Sequence, residues 1–285
     1  MPRLSLEHLP RPRRRNNIAR IAGSRFETED AAQKEDQVRV RRLRANAGRT
    51  KAEQAECSHL ADQIEEVGPA NPTTLTSKVA MRAIRLQMAG ELLRLCRGKR
   101  TYFVTLIPRG LSIAPDDLPG FDPKKENQKL RVTLNRAGAS SRNEGWIFAS
   151  LEGEYNPATG MVQIHYHLIV VGDGMVGAIK RLRQQPRFKR KMGTRNNPDG
   201  VKMRIQVKRV RRSRLHRAIN YAIKGTWYQK WRDEGADGAR KTQKCRGRIQ
   251  EPTGSKVLLW LDRWKVGDMT MMLNLWVGKN GLTPR

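Results

Sequence analysis

Val162-Gln163-Ile164-His165-Tyr166-His167-Leu168-Ile169-Val170-Val171 is rich in β-branched and aromatic residues and reads as a buried strand. Side chains at i and i+2 of a strand point to one face, so His165 and His167 project side by side. At that spacing two imidazoles can hold one divalent metal. The chain has 5 histidines, and two of them fall here. A His-x-His pair is also commonly buried and hydrogen-bonded without a metal, so the neighbouring residues decide its reading.

Upstream, Trp146 to Tyr155 reads as a strand and Asn156-Pro157-Ala158-Thr159-Gly160 as turn chemistry. The two strands form a β-hairpin. If Pro157 to Gly160 make a four-residue loop, Asn156 faces Met161, Glu152 faces His165 and Ser150 faces His167. Glu152, and less favourably Glu154, then share the histidine face. A five-residue loop reverses the parity unless a bulge restores it. Two imidazoles and one carboxylate with open positions make a Lewis-acid site.

The remaining pattern extends the hairpin into a sheet. A helix begins near Leu75, capped by Thr76 or Ser77, and ends at Gly98. Thr101 to Ile107 is a strand. Asp122-Pro123 opens a helix through about Arg136. A basic helix runs from Met175 to Gln184, followed by a basic loop over Phe188 to Gly200. Lys202 to Val210 alternates as a half-buried strand, and a helix spans Ser213 to Lys224. Two apolar patterns near the C-terminus, Val257 to Trp264 and Asp268 to Val277, read as helical. The fold class is therefore α+β, an antiparallel β-sheet with helices packed on one face, plus extensions. Residues 1–72 form a basic, largely flexible or helical extension, 73–230 the main domain, and 231–285 a helical extension.

The net charge of +30 is the electrostatic signature of a nucleic-acid partner. Mean hydropathy is −0.71, and no stretch approaches a membrane span. The most basic stretches lack the apolar face of a membrane-surface helix. Cys57, Cys96 and Cys245 are far apart and odd in number, which points to free thiols in a reducing, cytoplasmic setting. Arg181, Arg183, Arg209, Arg211, Arg212, Arg214 and Arg217 lie in an almost acid-free region and are the expected phosphate contacts.

On the helix after that arginine cluster, Leu215, Ala218, Ile219, Ala222 and Ile223 form the buried stripe. Tyr221 and Lys224 fall on the polar side, three residues apart and adjacent. A phenol is protonated at neutral pH, and an adjacent ammonium or metal favours the phenolate. Tyr228 joins that side only if the helix continues past Gly225.

Strand Tyr102-Phe103-Val104-Thr105-Leu106-Ile107, strand His165-Tyr166-His167 and helix segment Tyr221-Ala222-Ile223-Lys224 together resemble the three ordered motifs of HUH endonucleases. More narrowly, they resemble those of rolling-circle replication initiator (Rep) proteins. The resemblance covers about Leu92 to Tyr228. It departs from the family at Gly225, where many members carry an aromatic. It implies an HUH, RRM-like palm. His165, His167 and Glu152 would bind Mg²⁺ or Mn²⁺, Tyr221 would be the nucleophile, and Lys224 would assist it. The implied activity is metal-dependent nicking of single-stranded or cruciform DNA at a plasmid or phage origin, leaving a 5′-phosphotyrosine link. A host helicase is a further expected partner. Alternatives are an HUH single-strand transposase and a non-catalytic basic nucleic-acid-binding protein. A relaxase commonly places its tyrosine before the histidines. An amidohydrolase needs further downstream histidines, and only His216 remains.

Overall fold

The turn chemistry at Asn156–Gly160 closes the hairpin with a four-residue loop. Ala158 N–H donates to Asn156 Oδ1 at 3.2 Å, and Gly160 takes φ 66°, the left-handed conformation that glycine adopts without steric cost. The computed structural model describes residues 6, 9, 26–45, 50–66, 75–139, 145–189, 203–225, 227–230, 233–234, 240–241 and 246–285. In chain order its elements are α1 (Glu29–Arg44), α2 (Lys51–Glu66), α3 (Lys78–Cys96), β1 (Thr101–Leu106), β2 (Ser112–Ile113), α4 (Pro123–Arg136), β3 (Trp146–Asn156), β4 (Met161–Val171), α5 (Asp173–Arg181), β5 (Ile205–Arg209), α6 (Leu215–Ala222), β6 (Tyr228–Lys230), β7 (Asp233–Glu234), β8 (Arg240–Lys241), β9 (Arg246–Gly247), α7 (Thr253–Asp262), β10 (Thr270–Leu273), β11 (Leu275–Gly278) and β12 (Gly281–Pro284).

The main sheet runs β5-β1-β4-β3-β6-β9, with β2 added to β4 and β10 added to β3. Its pairs are antiparallel except β3–β6. The class is α+β, as expected. The helices, however, cover both faces rather than one. β4 is buried at both parities, because side chains there alternate between two packed layers. His165 and His167 look toward α6, where Tyr221 packs on His167. Tyr166 looks the other way, toward Glu126 of α4 and Arg187, whose charges act on its buried phenol.

Local chemistry sets the helix starts. Ser77 Oγ caps α3 by accepting from Ala80 N–H at 3.1 Å. Asp122 caps α4 by accepting from the amides of Lys124 and Lys125, with Pro123 in the first turn. α1 and α2 share a small cluster of Val40, Leu43, Cys57, Leu60, Ala61 and Ile64. α1 docks on the start of α3 through Asp36, whose carboxylate accepts from Ser77 Oγ and from the amides of Lys78 and Val79.

The C-terminal expectation is half corrected. Val257 to Trp264 overlaps helix α7, but Asp268 to Val277 forms strands β10 and β11. Met271 and Leu273 are buried while Thr270 and Met272 are half-buried, the two-residue alternation of a strand. Residues 190–202, most of the expected basic loop, lie outside the described residues, as does Cys245. Cys57 and Cys96 are buried free thiols. Among the described residues no helix is long and apolar enough to cross a membrane.

Candidate metal centre and adjoining cleft

The hairpin register places the three candidate ligands. Glu152 pairs with His165 and Ser150 with His167, the arrangement expected from a four-residue loop. All three ligand side chains are buried: Glu152 is 0 % exposed, His165 4 % and His167 3 %. His165 Nε2 and His167 Nε2 converge to 3.2 Å. Glu152 Oε2 stands 3.5 Å from His167 Nε2 and 3.9 Å from His165 Nε2. Donors bound to one ion at about 2.1 Å are about 3–3.5 Å apart; the His165–His167 and His167–Glu152 spacings match this, and the Glu152–His165 spacing of 3.9 Å is longer.

The outer contacts aim the imidazoles. His165 Nδ1 donates to the Gln163 carbonyl at 3.2 Å, so its Nε2 carries the lone pair of the ring on the ligand side. Thr105 on β1 lies opposite His167 on β4, and its Oγ1 is 3.2 Å from His167 Nδ1. In the tautomer that donates to Oγ1, His167 also presents its Nε2 lone pair. Glu152 Oε1 accepts no hydrogen bond from the described residues, a state that leaves a buried carboxylate oxygen open to a cation.

Lys224 lies just past α6, which ends at Ala222, so the expected helix is two residues too long. Gly225 takes φ 58°, the left-handed conformation that glycine adopts without steric cost, and this turns the chain. The turn brings Lys224 Nζ to 2.7 Å from Glu152 Oε2. Burial pushes the Glu152 carboxyl up to about 7, against the pull of Lys224. Burial pulls the Lys224 ammonium down, but Glu152, Tyr221 and Glu154 together hold it above the ordinary lysine range.

Tyr221 completes the cluster. Its ring lies 4.7 Å from the His167 ring and 5.6 Å from Phe103, both edge-on. Lys224 Nζ lies 4.6 Å from the Tyr221 ring centroid. Tyr228 is on strand β6, beside β3 and not on a helical extension, and its ring is 5.8 Å from Lys224 Nζ. Glu154 shares the face of Glu152 but lies two register pairs nearer the turn, outside the ligand group.

A cleft of about 1010 Å³ opens beside Tyr221. Arg209, Arg211, Arg214 and Arg217 line it, with Phe103 and Lys208. Arg212 is exposed but not in the lining. Arg181 and Arg183 sit at the end of α5 outside the cleft, and Arg181 Nε donates to the Ala137 carbonyl at 2.7 Å. Thr105, Phe103 and Arg85 carry no role in the sequence reading. Arg85 had a visible signal: it sits on the apolar stripe of Met81, Met88 and Leu92, where a charge is out of place. Comparison with protein-family models, curated proteins and solved structures finds no match.

Proposed function

We propose that the chain is a metal-dependent DNA-nicking enzyme of the HUH type with an RRM-like palm, acting as a rolling-circle replication initiator on single-stranded or cruciform DNA. The observation that carries this reading is the packing of Tyr221 against His167, within a group of two imidazoles and one carboxylate. Glu152, His165 and His167 would hold Mg²⁺ or Mn²⁺, which supplies polarisation of a non-bridging oxygen on the scissile phosphate.

Tyr221 Oη then attacks phosphorus in line. The Oη–P bond forms as the P–O3′ bond breaks, so one ester is exchanged for another. The phenolic proton leaves to solvent, and the departing 3′-oxygen takes up a proton to become a free 3′-OH. Lys224, fixed by Glu152, offers positive charge where negative charge develops. Arg209, Arg211, Arg214 and Arg217 hold flanking phosphates along the cleft. The 3′-OH suits priming on a plasmid or phage template, with a host helicase opening the duplex ahead.

The test is incubation with labelled single-stranded oligonucleotides and Mn²⁺, with and without EDTA, on a denaturing gel. The expected result is a metal-dependent covalent band that Tyr221→Phe abolishes while DNA binding persists. An unchanged band moves the nucleophile elsewhere, with Tyr228 the first to test. Binding with no adduct on any DNA favours a non-catalytic nucleic-acid-binding protein.

A further inference from the structure

The wall of the cleft formed by α3 holds a second charged group that the nicking reading does not use. Lys78 and Arg85 are both buried, and both line the cleft that contains Tyr221 and Lys224. Glu27, from the segment preceding α1, inserts between them. Its Oε2 lies 3.0 Å from Lys78 Nζ and its Oε1 2.5 Å from Arg85 Nη1. Arg82 Nε donates to the Glu27 carbonyl at 3.0 Å, and Arg85 lies over the Phe26 ring at 4.8 Å. One carboxylate thus gives one oxygen to each of two cations. A phosphodiester has the same charge and likewise two non-bridging oxygens to divide between them.

We propose that Lys78 and Arg85 form a second phosphate-binding subsite of the cleft, which Glu27 fills until a backbone phosphate of single-stranded nucleic acid displaces it. This rests on the reading that the cleft takes a single strand. The other basic residues of the lining explain how a strand competes with a tethered carboxylate. Arg209, Arg211, Arg214 and Arg217 hold neighbouring phosphates and so raise the local concentration of the next one. The segment around Phe26 and Glu27 is therefore a brake on binding that the correct ligand releases.

The experiment measures anisotropy of a labelled oligothymidylate with the full chain in EDTA, which separates binding from cleavage. Glu27→Gln is expected to tighten binding about tenfold, the effect of removing one competing charge. Adding Arg85→Met to that variant is expected to abolish the gain. Thermal melting guards against a folding artefact: the oligonucleotide should raise the melting temperature of E27Q more than that of the parent. Equal affinity of E27Q and parent overturns the inference and leaves the nicking reading standing. A gain in E27Q with no Tyr221 adduct in the gel assay keeps the subsite and removes the nicking. Stabilisation of E27Q by inorganic phosphate, without a gain in oligonucleotide affinity, identifies a free-phosphate site and overturns displacement by a strand.

Discussion

Lys224 Nζ lies 2.7 Å from Glu152 Oε2, and the two side chains are buried together beside the histidine pair. The lysine supplies the positive charge that a fully buried carboxylate requires. Lys224→Met keeps the aliphatic stem and removes that charge. Deleting one partner of a buried pair costs about 3–5 kcal/mol. Urea denaturation in EDTA should show a loss of that size. Mn²⁺ should restore more stability to K224M than to the parent, because the ion replaces the charge that the ammonium placed beside Glu152. An equal response to Mn²⁺ in both would mean that Glu152 does not ligate the ion.

Thr105 reaches the candidate centre through His167 Nδ1, 3.2 Å from its Oγ1. Thr105→Val preserves shape and the strand but removes the oxygen that orients the imidazole. Loss of such an outer contact lowers metal affinity about 10–100-fold. Calorimetric titration with Mn²⁺ should show that weakening with an unchanged stoichiometry. An unaltered affinity would assign Thr105 to packing alone.

Burial lowers the pKa of Lys78 to about 8, with Glu27 opposing the shift. Between that value and the ordinary 10.5, the unfolded chain holds a proton that the folded chain has released. Stability from this group therefore rises with pH across the window and is lost as pH falls through about 8. The full span is worth about 3 kcal/mol. Unfolding free energy measured from pH 7.5 to 10.5 should rise in the parent relative to Lys78→Met, whose profile lacks this contribution. Parallel profiles would show that Lys78 titrates normally in the folded chain.

The sequence revealed the centre better than its surroundings. Glu152, His165 and His167 were legible because strand parity and turn length are local properties, and Asn156–Gly160 favours one loop strongly. The two-sided burial of β4 was also legible in principle. Residues 168–171 are apolar at every position, not at alternate ones. The strand at Thr270–Leu273 was hidden because Met269, Met272, Leu273 and Trp276 satisfy a helical spacing while Met271, Leu273 and Leu275 satisfy a strand spacing. Only pairing with β3 decides between them. The Glu27–Lys78–Arg85 group was invisible for another reason. Its members are 51 and 58 residues from Glu27, and charge pairing over such separations leaves no periodic trace.

Strand β10 also imposes an order of assembly. A nascent chain that has emerged as far as Lys224 already holds every candidate ligand and the tyrosine. Yet the edge of β3 beside Ile147–Ser150 stays open until Thr270–Leu273 arrives to pair with it. Until then the strand that bears Glu152 presents bare amides and carbonyls, the kind of edge on which other chains add. Synthesis interrupted after residue 224 would therefore yield a product with all its chemical groups and an unprotected seam. The last strand of the main sheet makes the centre safe to build as much as it makes it stable.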